Sequence, residues 1–186
     1  DNNIIINNGI ENQSLIIKKN NLKSLDGNHN LENIIATYAV CYLLNISNDN
    51  FLEHIVSFKG LAHRFERIAK LDKILIFNDS KATNLESTKV ALSNLKNIFW
   101  ILGGRAKTGG IEGIEKHLKQ VKMGFIFGEA KDIFSKQLKK HIKLEKFQDL
   151  KLAFERALNI AKKRDEEINI LFSPACSSFD QFKNFE

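Results

Sequence analysis

The sequence predicts an α/β protein whose larger part is a mostly parallel sheet with flanking helices. From about residue 73 onward, short apolar and β-prone runs alternate regularly with amphipathic segments. Before Gly60 the pattern differs, because two β-prone runs are followed by two helical segments. Gly60 comes just after the second of these helices, so we expect a domain boundary there, between residues 1–60 and 61–186.

The second part contains strands and helices in strict alternation. The strands are predicted at about 73–78, 98–103, 124–128, 143–147 and 168–173, and the helices at about 84–95, 111–121, 130–141 and 149–164. Such alternation predicts parallel strands joined by right-handed connections. In sheets of this kind, ligands bind beyond the carboxyl ends of the strands.

The first part begins with a predicted antiparallel hairpin. Residues 3–6 and 14–17 are β-prone, and the turn signal Asn7-Asn8-Gly9 lies between them. A helix follows, with Asn30 as its expected N-cap and Asn33 able to reach back to it. Its expected buried face consists of Leu31, Ile34, Ile35, Tyr38 and Tyr42. A second helix is predicted at about 49–57.

Composition excludes several classes of function. The chain has 186 residues, 43% hydrophobic and 27% charged, which is ordinary for a globular protein. It contains no apolar run of about 18–20 residues and no signal peptide, so we expect no membrane association. Two cysteines are too few for a disulfide framework and suit a reducing cytoplasm. The missing initiator Met suggests a piece of a longer protein.

The net charge of +6 does not predict nucleic-acid binding. The basic residues occur in short pieces, such as Lys139-Lys140 and Lys162-Lys163-Arg164, and are not interleaved with aromatic residues. We therefore interpret them as a solvated lysine-rich surface, which is compatible with a small phosphate-bearing substrate.

The segment from Asp79 to Thr83 is a candidate anion site. It follows a buried strand and precedes a helix, and it contains Lys81. Thr83 with Glu86 forms a capping box, which predicts a helix start at about residue 84. The expected apolar face of that helix consists of Leu85, Thr88, Leu92 and Leu95. The alternative is a strand-to-helix turn whose polar residues only cap the helix.

Several loops with similar chemistry follow the predicted strands. Each is rich in small, hydroxyl-bearing or cationic residues: 79–83, 103–107, 128–131 and 173–178. Gly103 and Gly104 would let the backbone approach a ligand and would place Lys107 at the rim, although a plain glycine turn is the alternative. No Gly-Lys-[Ser/Thr] sequence occurs, so none of these loops is a Walker A loop, and the glycine pair is not a Rossmann fingerprint either.

Two further features have ordinary interpretations. His63-Arg64 is either a surface pair or, if Arg64 lies near a phosphate, a donor fork. Cys176 lies in the last loop without a neighbouring base, so we expect a packed, unreactive thiol. No residues stand at metal-ligand spacing, and no nucleophilic triad is visible.

Five motifs together resemble one known family. They are Gly27–Asn33, Gly60–Glu66, Asn78–Asn84, Leu102-Gly103-Gly104 with Lys107, and Ser173–Glu186. In order and spacing, from about residue 27 to the end, they resemble the Mur ligases of peptidoglycan synthesis. The last motif and Asp79-Ser80-Lys81-Ala82-Thr83-Asn84 are most similar to those of the member that adds D-glutamate. The Asp-Asn-Pro-Arg motif of the diaminopimelate-adding relative is absent.

The resemblance implies a three-domain enzyme that uses ATP and Mg²⁺. Residues 1–60 would be the C-terminal part of the central ATP-binding domain, an α/β tail. Residues 61–186 would be a C-terminal Rossmann-like amino-acid-binding domain, truncated at its end. The P-loop and the magnesium ligands would lie upstream, so this chain alone is expected to be inactive.

The implied reaction joins D-glutamate to UDP-N-acetylmuramoyl-L-alanine through an acyl phosphate made with ATP. By family match, Asn30, Asn33, Arg64 and Asp79 would hold the nucleotide, and Lys81, Thr83, Lys107, Ser178, Phe179 and Phe185 would hold D-glutamate. Relatives differ at Arg105-Ala106, and no catalytic or metal-binding residue is assigned. The expected protein is a cytoplasmic monomer that binds small molecules. The alternative is a non-catalytic α/β module that binds an anionic metabolite.

Overall fold

A computed structural model describes residues 3–8, 13–22, 25, 29–177 and 180. The chain divides into two compact units, Asp1–Leu61 and Ala62–Glu186. Each unit contains its own clusters of buried side chains. Along the described ranges, no helix combines the length and the apolarity needed to cross a membrane.

The first unit contains the predicted antiparallel hairpin and two helices. Strands β1 (Asn3–Asn8) and β2 (Gln13–Lys18) pair antiparallel, which confirms the hairpin. The turn predicted at Asn7-Asn8-Gly9 is wrong at its first two residues, because Asn7 and Asn8 belong to β1 and pair with β2, and Gly9 lies outside the described residues. Helices α1 (His29–Leu43) and α2 (Asn48–Ser57) follow. The buried core of this unit consists of Ile4, Ile6, Leu15, Ile17, Leu22, Ile34, Tyr38 and Phe51.

Two expectations for α1 are wrong. The helix already includes His29, so Asn30 lies in its first turn and is not the N-cap. Asn33 does reach back, since its Nδ2 donates to Asn30 Oδ1 at 3.4 Å. Ile35 is 50% exposed, whereas Ile34 and Tyr38 are buried. Residues i and i+4 share a helix face, but a neighbouring residue is rotated by about 100° and leaves that face.

The second unit is built on a six-stranded sheet of order β3-β4-β8-β5-β6-β7 among the described residues. Its strands are β3 (Glu66–Leu71), β4 (Ile74–Asn78), β5 (Ile98–Gly103), β6 (Val121–Phe127), β7 (Lys143–Lys146) and β8 (Ile168–Phe172). All pairings are parallel except β3 with β4. The predicted α/β class with a mostly parallel sheet is therefore confirmed.

Strand β3 was not predicted from the sequence. It lies at the edge of the sheet, and four of its six residues are exposed, including Ile68 and Leu71. An edge strand of this kind lacks the continuous apolar run that marks a buried parallel strand. The five predicted strands agree with the structure, apart from β6, which begins three residues earlier than expected.

Three helices flank the sheet at the predicted places: α3 (Leu85–Asn94), α4 (Lys131–Leu138) and α5 (Leu150–Ala161). The helix predicted at 111–121 is wrong, because only a 3₁₀ helix at Glu115–Gln120 forms there. Gly113, inside the predicted segment, has φ of 85°, which a regular α-helix cannot contain.

Side chains of β5 show how the two faces of the sheet are covered. Every residue of this strand is buried. Trp100 and Leu102 pack into the core beneath α3, α4 and the 3₁₀ helix, whereas Phe99 and Ile101 pack into the core beneath α5. Because both faces are covered, the carboxyl edge of the parallel strands is the place left for a ligand.

Candidate functional site

Four loops meet at the carboxyl edge of the second unit. Strands β4, β8, β5 and β6 are neighbours in the sheet, so the loops that follow them come together. Backbone hydrogen bonds join adjacent loops: Ala175 N to Ala82 O (3.0 Å), Gly103 N to Pro174 O (3.2 Å), Arg105 N to Ser177 O (2.7 Å) and Ala130 N to Gly104 O (2.7 Å). The structure thus brings together the loops that the sequence singled out.

Asp79 lies at the end of β4 and is only 8% exposed. Its Oδ1 accepts a hydrogen bond from Phe65 N at 3.0 Å, and its Oδ2 accepts one from Ser173 Oγ at 2.9 Å. Burial raises the pKa of this carboxyl to about 6, against the lowering effects of the two hydrogen bonds and of the Arg64 charge. Asp79 therefore joins the loops around it.

Asp79 belongs to a buried polar network that links the end of β4 to β8, α3 and β5. Ser173 Oγ lies 3.1 Å from Thr88 Oγ1 on α3, and the Trp100 indole donates to Ser173 O at 2.8 Å. Trp100, Thr88 and Ser173 have no exposed surface. Sequence reasoning placed Thr88 on the inner helix face and Ser173 in a strand-end loop, but it missed their contact and the role of Trp100. The one available signal was a threonine in an otherwise apolar stripe.

Arg64 is presented by a tight turn that is tied to the β4 loop. His63 and Phe65 on either side have φ of 66° and 49°, in the left-handed region. His63 N donates to Glu66 Oε2 at 2.8 Å, and Lys81 N donates to His63 O at 3.1 Å. Non-glycine residues in this conformation are uncommon and cost free energy, so the hydrogen bonds around this turn are needed to hold it. The structure thus brings Arg64 and Asp79 together.

Lys81 and Thr83 lie in the loop between β4 and α3. Lys81 is exposed and Thr83 is partly exposed, and Thr83 N donates to Lys81 O at 2.9 Å. The predicted capping box is wrong, because Asn84 is the N-cap and its side chain accepts from Ser87 N at 2.9 Å. Asparagine caps a helix at least as well as threonine, so Asn84, one residue after Thr83, can serve as the N-cap. The Thr83 hydroxyl is therefore not needed to cap the helix.

Lys107 lies on an open cleft next to the start of α3. The cleft has a volume of about 420 Å³ and is lined by Asn84, Leu85, Glu86, Lys107, Thr108, Gly109, Gly110, Glu112 and Ala175. The structure thus places Lys107 beside the start of α3, the helix that follows the Lys81 loop. Lys81 and Thr83 themselves do not line this cleft.

Gly103 and Gly104 serve contacts inside the protein. A Cβ on Gly103 would lie 2.1 Å from Phe127 O, and one on Gly104 would lie 2.2 Å from Ser177 O. Both have φ above 130°. The structure therefore supports the alternative of a glycine turn, since the close approach that requires glycine is to neighbouring backbone.

Arg105 and Glu129 form a bidentate ion pair between two of the loops. Arg105 Nε and Nη2 donate to the Glu129 carboxylate at 3.0 and 3.2 Å. The hydrogen bond and the opposite charge lower the pKa of Glu129 and raise that of Arg105. Residues 24 positions apart gave no sequence signal for this pair.

Other predicted site residues lie elsewhere or cannot be placed. Asn30 and Asn33 are on α1 of the first unit. Ser178, Phe179 and Phe185 lie outside the described residues. Within the described ranges, no group of three His, Cys, Asp or Glu side chains could hold a metal.

Cys176 confirms the expectation of a packed thiol. It has no exposed surface, and burial, with a smaller effect of the Asp180 charge, raises its pKa to about 12.

The fold defines a class of protein: a Rossmann-like domain, whose strand-end loops carry the exposed side chains of Lys81 and Lys107. The family model described as Mur ligase, glutamate ligase domain, matches residues 63–176. The chain belongs to the Mur ligase family.

Curated relatives carry a more specific name. A UDP-N-acetylmuramoylalanine–D-glutamate ligase from Wolbachia of Brugia malayi is 42% identical over 95% of this chain and 36% of its own length. The ligase of the same name from Rickettsia bellii is 43% identical over 100% of this chain and 41% of its own length. The chain thus spans well under half of these relatives.

A solved structure confirms the fold. The UDP-N-acetylmuramate–alanine ligase of Thermotoga maritima superimposes with a TM-score of 0.64 and 18% identity, covering 88% of this chain and 39% of that one.

Proposed function

We propose that this chain is part of an ATP-dependent ligase that joins D-glutamate to UDP-N-acetylmuramoyl-L-alanine in peptidoglycan synthesis. The observation that carries the proposal is the identity of 42–43% to ligases of that name over nearly the whole chain. In this proposal, residues 1–60 end the central ATP-binding domain and residues 61–186 form the amino-acid-binding domain. The parent protein is a cytoplasmic monomer, and this chain alone does not turn over ATP.

The proposed chemistry needs positioning and charge neutralisation more than a nucleophilic side chain. ATP supplies the phosphoryl group that converts the alanyl carboxylate into an acyl phosphate. The amine of D-glutamate attacks the acyl carbon, and phosphate leaves from the tetrahedral intermediate. Fixed N–H groups and cations stabilise such charges because they need no reorganisation during the reaction.

Arg64 is the proposed nucleotide-binding cation of the second unit. Its turn is held on both sides by hydrogen bonds to Glu66, Lys81 and Asp79, so its backbone is already ordered before a ligand binds. A guanidinium presented in this way suits the phosphate or ribose oxygens of a nucleotide. Asn30, Asn33 and Asp79 complete the proposed nucleotide set. Mg²⁺ would be held by residues upstream of this chain.

D-glutamate presents two carboxylates and needs cations at two places. Lys81 on the β4 loop and Lys107 on the β5 loop are exposed and lie on neighbouring parts of the same sheet edge. A carboxylate loses its hydration on binding, so only charge-assisted hydrogen bonds keep the bound state favourable. Thr83, Ser178, Phe179 and Phe185 complete the proposed amino-acid site.

The test is steady-state kinetics of the full-length ligase with Lys81→Ala and Lys107→Ala. We expect each variant to weaken the binding of D-glutamate by about 2–4 kcal/mol and to change the KM for ATP much less. Lys163→Ala is the matched control, because Lys163 is exposed and lies just after α5, at the opposite edge of the sheet. Its KM for D-glutamate should stay at the wild-type value.

Two outcomes would contradict the proposal. If Lys81→Ala weakened only ATP binding and left D-glutamate binding intact, the amino-acid site could not include Lys81. Binding of D-glutamate or another anion without any ligase activity of the full-length protein would instead support a non-catalytic binding module.

A further inference from the structure

Ser173 has a backbone that is fixed on both sides. It comes directly after β8, its N–H donates to Ile101 O at 3.2 Å, and its carbonyl accepts from the Trp100 indole at 2.8 Å. The residue has no exposed surface. Its hydroxyl therefore cannot bind a ligand directly and can act only through the residues it touches.

The hydroxyl of Ser173 joins the Asp79 carboxylate to Thr88 on α3. Ser173 Oγ lies 2.9 Å from Asp79 Oδ2 and 3.1 Å from Thr88 Oγ1. A serine hydroxyl has one hydrogen to donate and two lone pairs, whereas an ionised carboxylate can only accept. Ser173 therefore donates to the ionised Asp79, and Thr88 donates to Ser173. Burial raises the pKa of Asp79, and the hydrogen bond from Ser173 opposes that shift.

Asp79 connects this network to the turn that presents Arg64. While its Oδ2 is held by Ser173, its Oδ1 accepts from Phe65 N at 3.0 Å. Phe65 has φ of 49°, a conformation that costs free energy in a non-glycine residue. The hydrogen bond to Asp79 offsets that cost, so the Arg64 turn depends on the direction in which the carboxylate points.

We propose that Ser173 is a positioning residue for the nucleotide site: its buried hydroxyl fixes the Asp79 carboxylate, which in turn holds the turn that presents Arg64. The inference rests on the proposed function, in which Asp79 and Arg64 hold the nucleotide. Groups that are ordered before a ligand arrives bind it more tightly than groups that must first be ordered. Ser173 itself does not touch the nucleotide.

The test is steady-state kinetics of the full-length ligase with Ser173→Ala and Ser173→Thr. Alanine removes the donor to Asp79 without adding volume, so the KM for ATP should rise about 10-fold, the lower end of the effect of losing a hydrogen bond to a charged group. The KM for D-glutamate should change much less, because its proposed contacts do not include Asp79 or Arg64. Threonine keeps the hydroxyl and should restore most of the affinity for ATP.

Thr88→Val perturbs the same network one step further from Asp79. Valine has the shape of threonine but no hydroxyl, so Ser173 loses the donor on its far side and keeps its own bond to Asp79. We expect the KM for ATP to rise about threefold, since a neutral hydrogen bond contributes less than a charged one. This variant decides the question if Ser173→Ala fails to fold.

Asn169→Ala is the matched control. Asn169 lies near the beginning of β8, is 5% exposed, and donates a side-chain hydrogen bond to Lys96 O at 2.6 Å. Its replacement also removes a buried hydrogen bond from β8, but at the end of the strand away from Asp79. We expect a similar loss of unfolding free energy and a wild-type KM for ATP.

The outcomes separate this inference from the proposed function. An active ligase whose KM for ATP is unchanged in Ser173→Ala and Thr88→Val would overturn the positioning role. An equal rise of the KM values for ATP and D-glutamate in Ser173→Ala would do the same, and so would an equally large rise of the KM for ATP in Asn169→Ala, since both indicate general loosening. A wild type without D-glutamate-dependent turnover would overturn the proposed function, and this inference with it.

Discussion

The Asp79 carboxylate connects three parts of the second unit through single hydrogen bonds. It accepts from Phe65 N next to Arg64 and from Ser173 Oγ after β8, while its own N–H donates to Phe172 O at 2.8 Å. An ionised carboxylate in such a buried place is costly, which is why its pKa is raised. The same residue thus supports the Arg64 turn and makes the folded state sensitive to pH.

The pH dependence of stability follows from the direction of this shift. The folded pKa of Asp79 is about 6, above the usual 3.8, so the folded state binds the extra proton between these values. The contribution of Asp79 to the free energy of unfolding is therefore fully present below pH 3.8 and is lost as the pH rises through about 6. The loss is roughly 3 kcal/mol of unfolding free energy.

Urea unfolding of the Asp79→Asn variant and the wild type at pH 4 and pH 7 tests this pH dependence of stability. The variant lacks the titrating group, so its unfolding free energy minus that of the wild type should increase from pH 4 to pH 7. A difference that is constant with pH would show that Asp79 titrates normally.

At the scale of elements, the end of β5 depends on glycine for close packing against β6. Gly103 has φ of 139°, and its α-carbon faces Phe127 O so closely that a Cβ would lie 2.1 Å away. Backbone cannot move aside as a flexible side chain can. We expect Gly103→Ala to lower the unfolding free energy by more than about 3 kcal/mol.

Gly109→Ala is the control for this prediction. Gly109 also has positive φ, 86°, but a Cβ there would meet nothing within 4 Å. Only the conformational cost remains, about 1–2 kcal/mol. Equal losses in the two variants, measured by urea unfolding, would show that packing against Phe127 adds nothing.

For the whole molecule, the division into two units predicts where a protease cuts first. Residues 58–61 have no helix or strand, and Phe58 and Leu61 are 42% and 58% exposed. Chymotrypsin should therefore cleave first between residues 57 and 62. The fragment from there onward keeps both buried clusters of the sheet and should stay folded. Earlier cleavage within 73–128 would contradict the division.

Much of this molecule follows from local pattern. Residues 74–78, 98–103 and 168–172 are buried on both faces, so their apolar runs predicted strands. Helix α5 has a clear amphipathic period, and strand–helix alternation predicted parallel pairing. The loops of the candidate site could be found for the same reason, since each follows a predictable strand.

The sequence by itself therefore determined the α/β class, the interior strands and the loops at their ends, because these depend on periodicity within a few residues. Only the tertiary structure decided that β8 lies between β4 and β5, and so brings Ser173 to Asp79. It also decided the Arg105–Glu129 pair and the attachment of Asp180 to Glu129 N. These contacts join residues 24 to 94 positions apart, and no local pattern encodes the order of strands in a sheet.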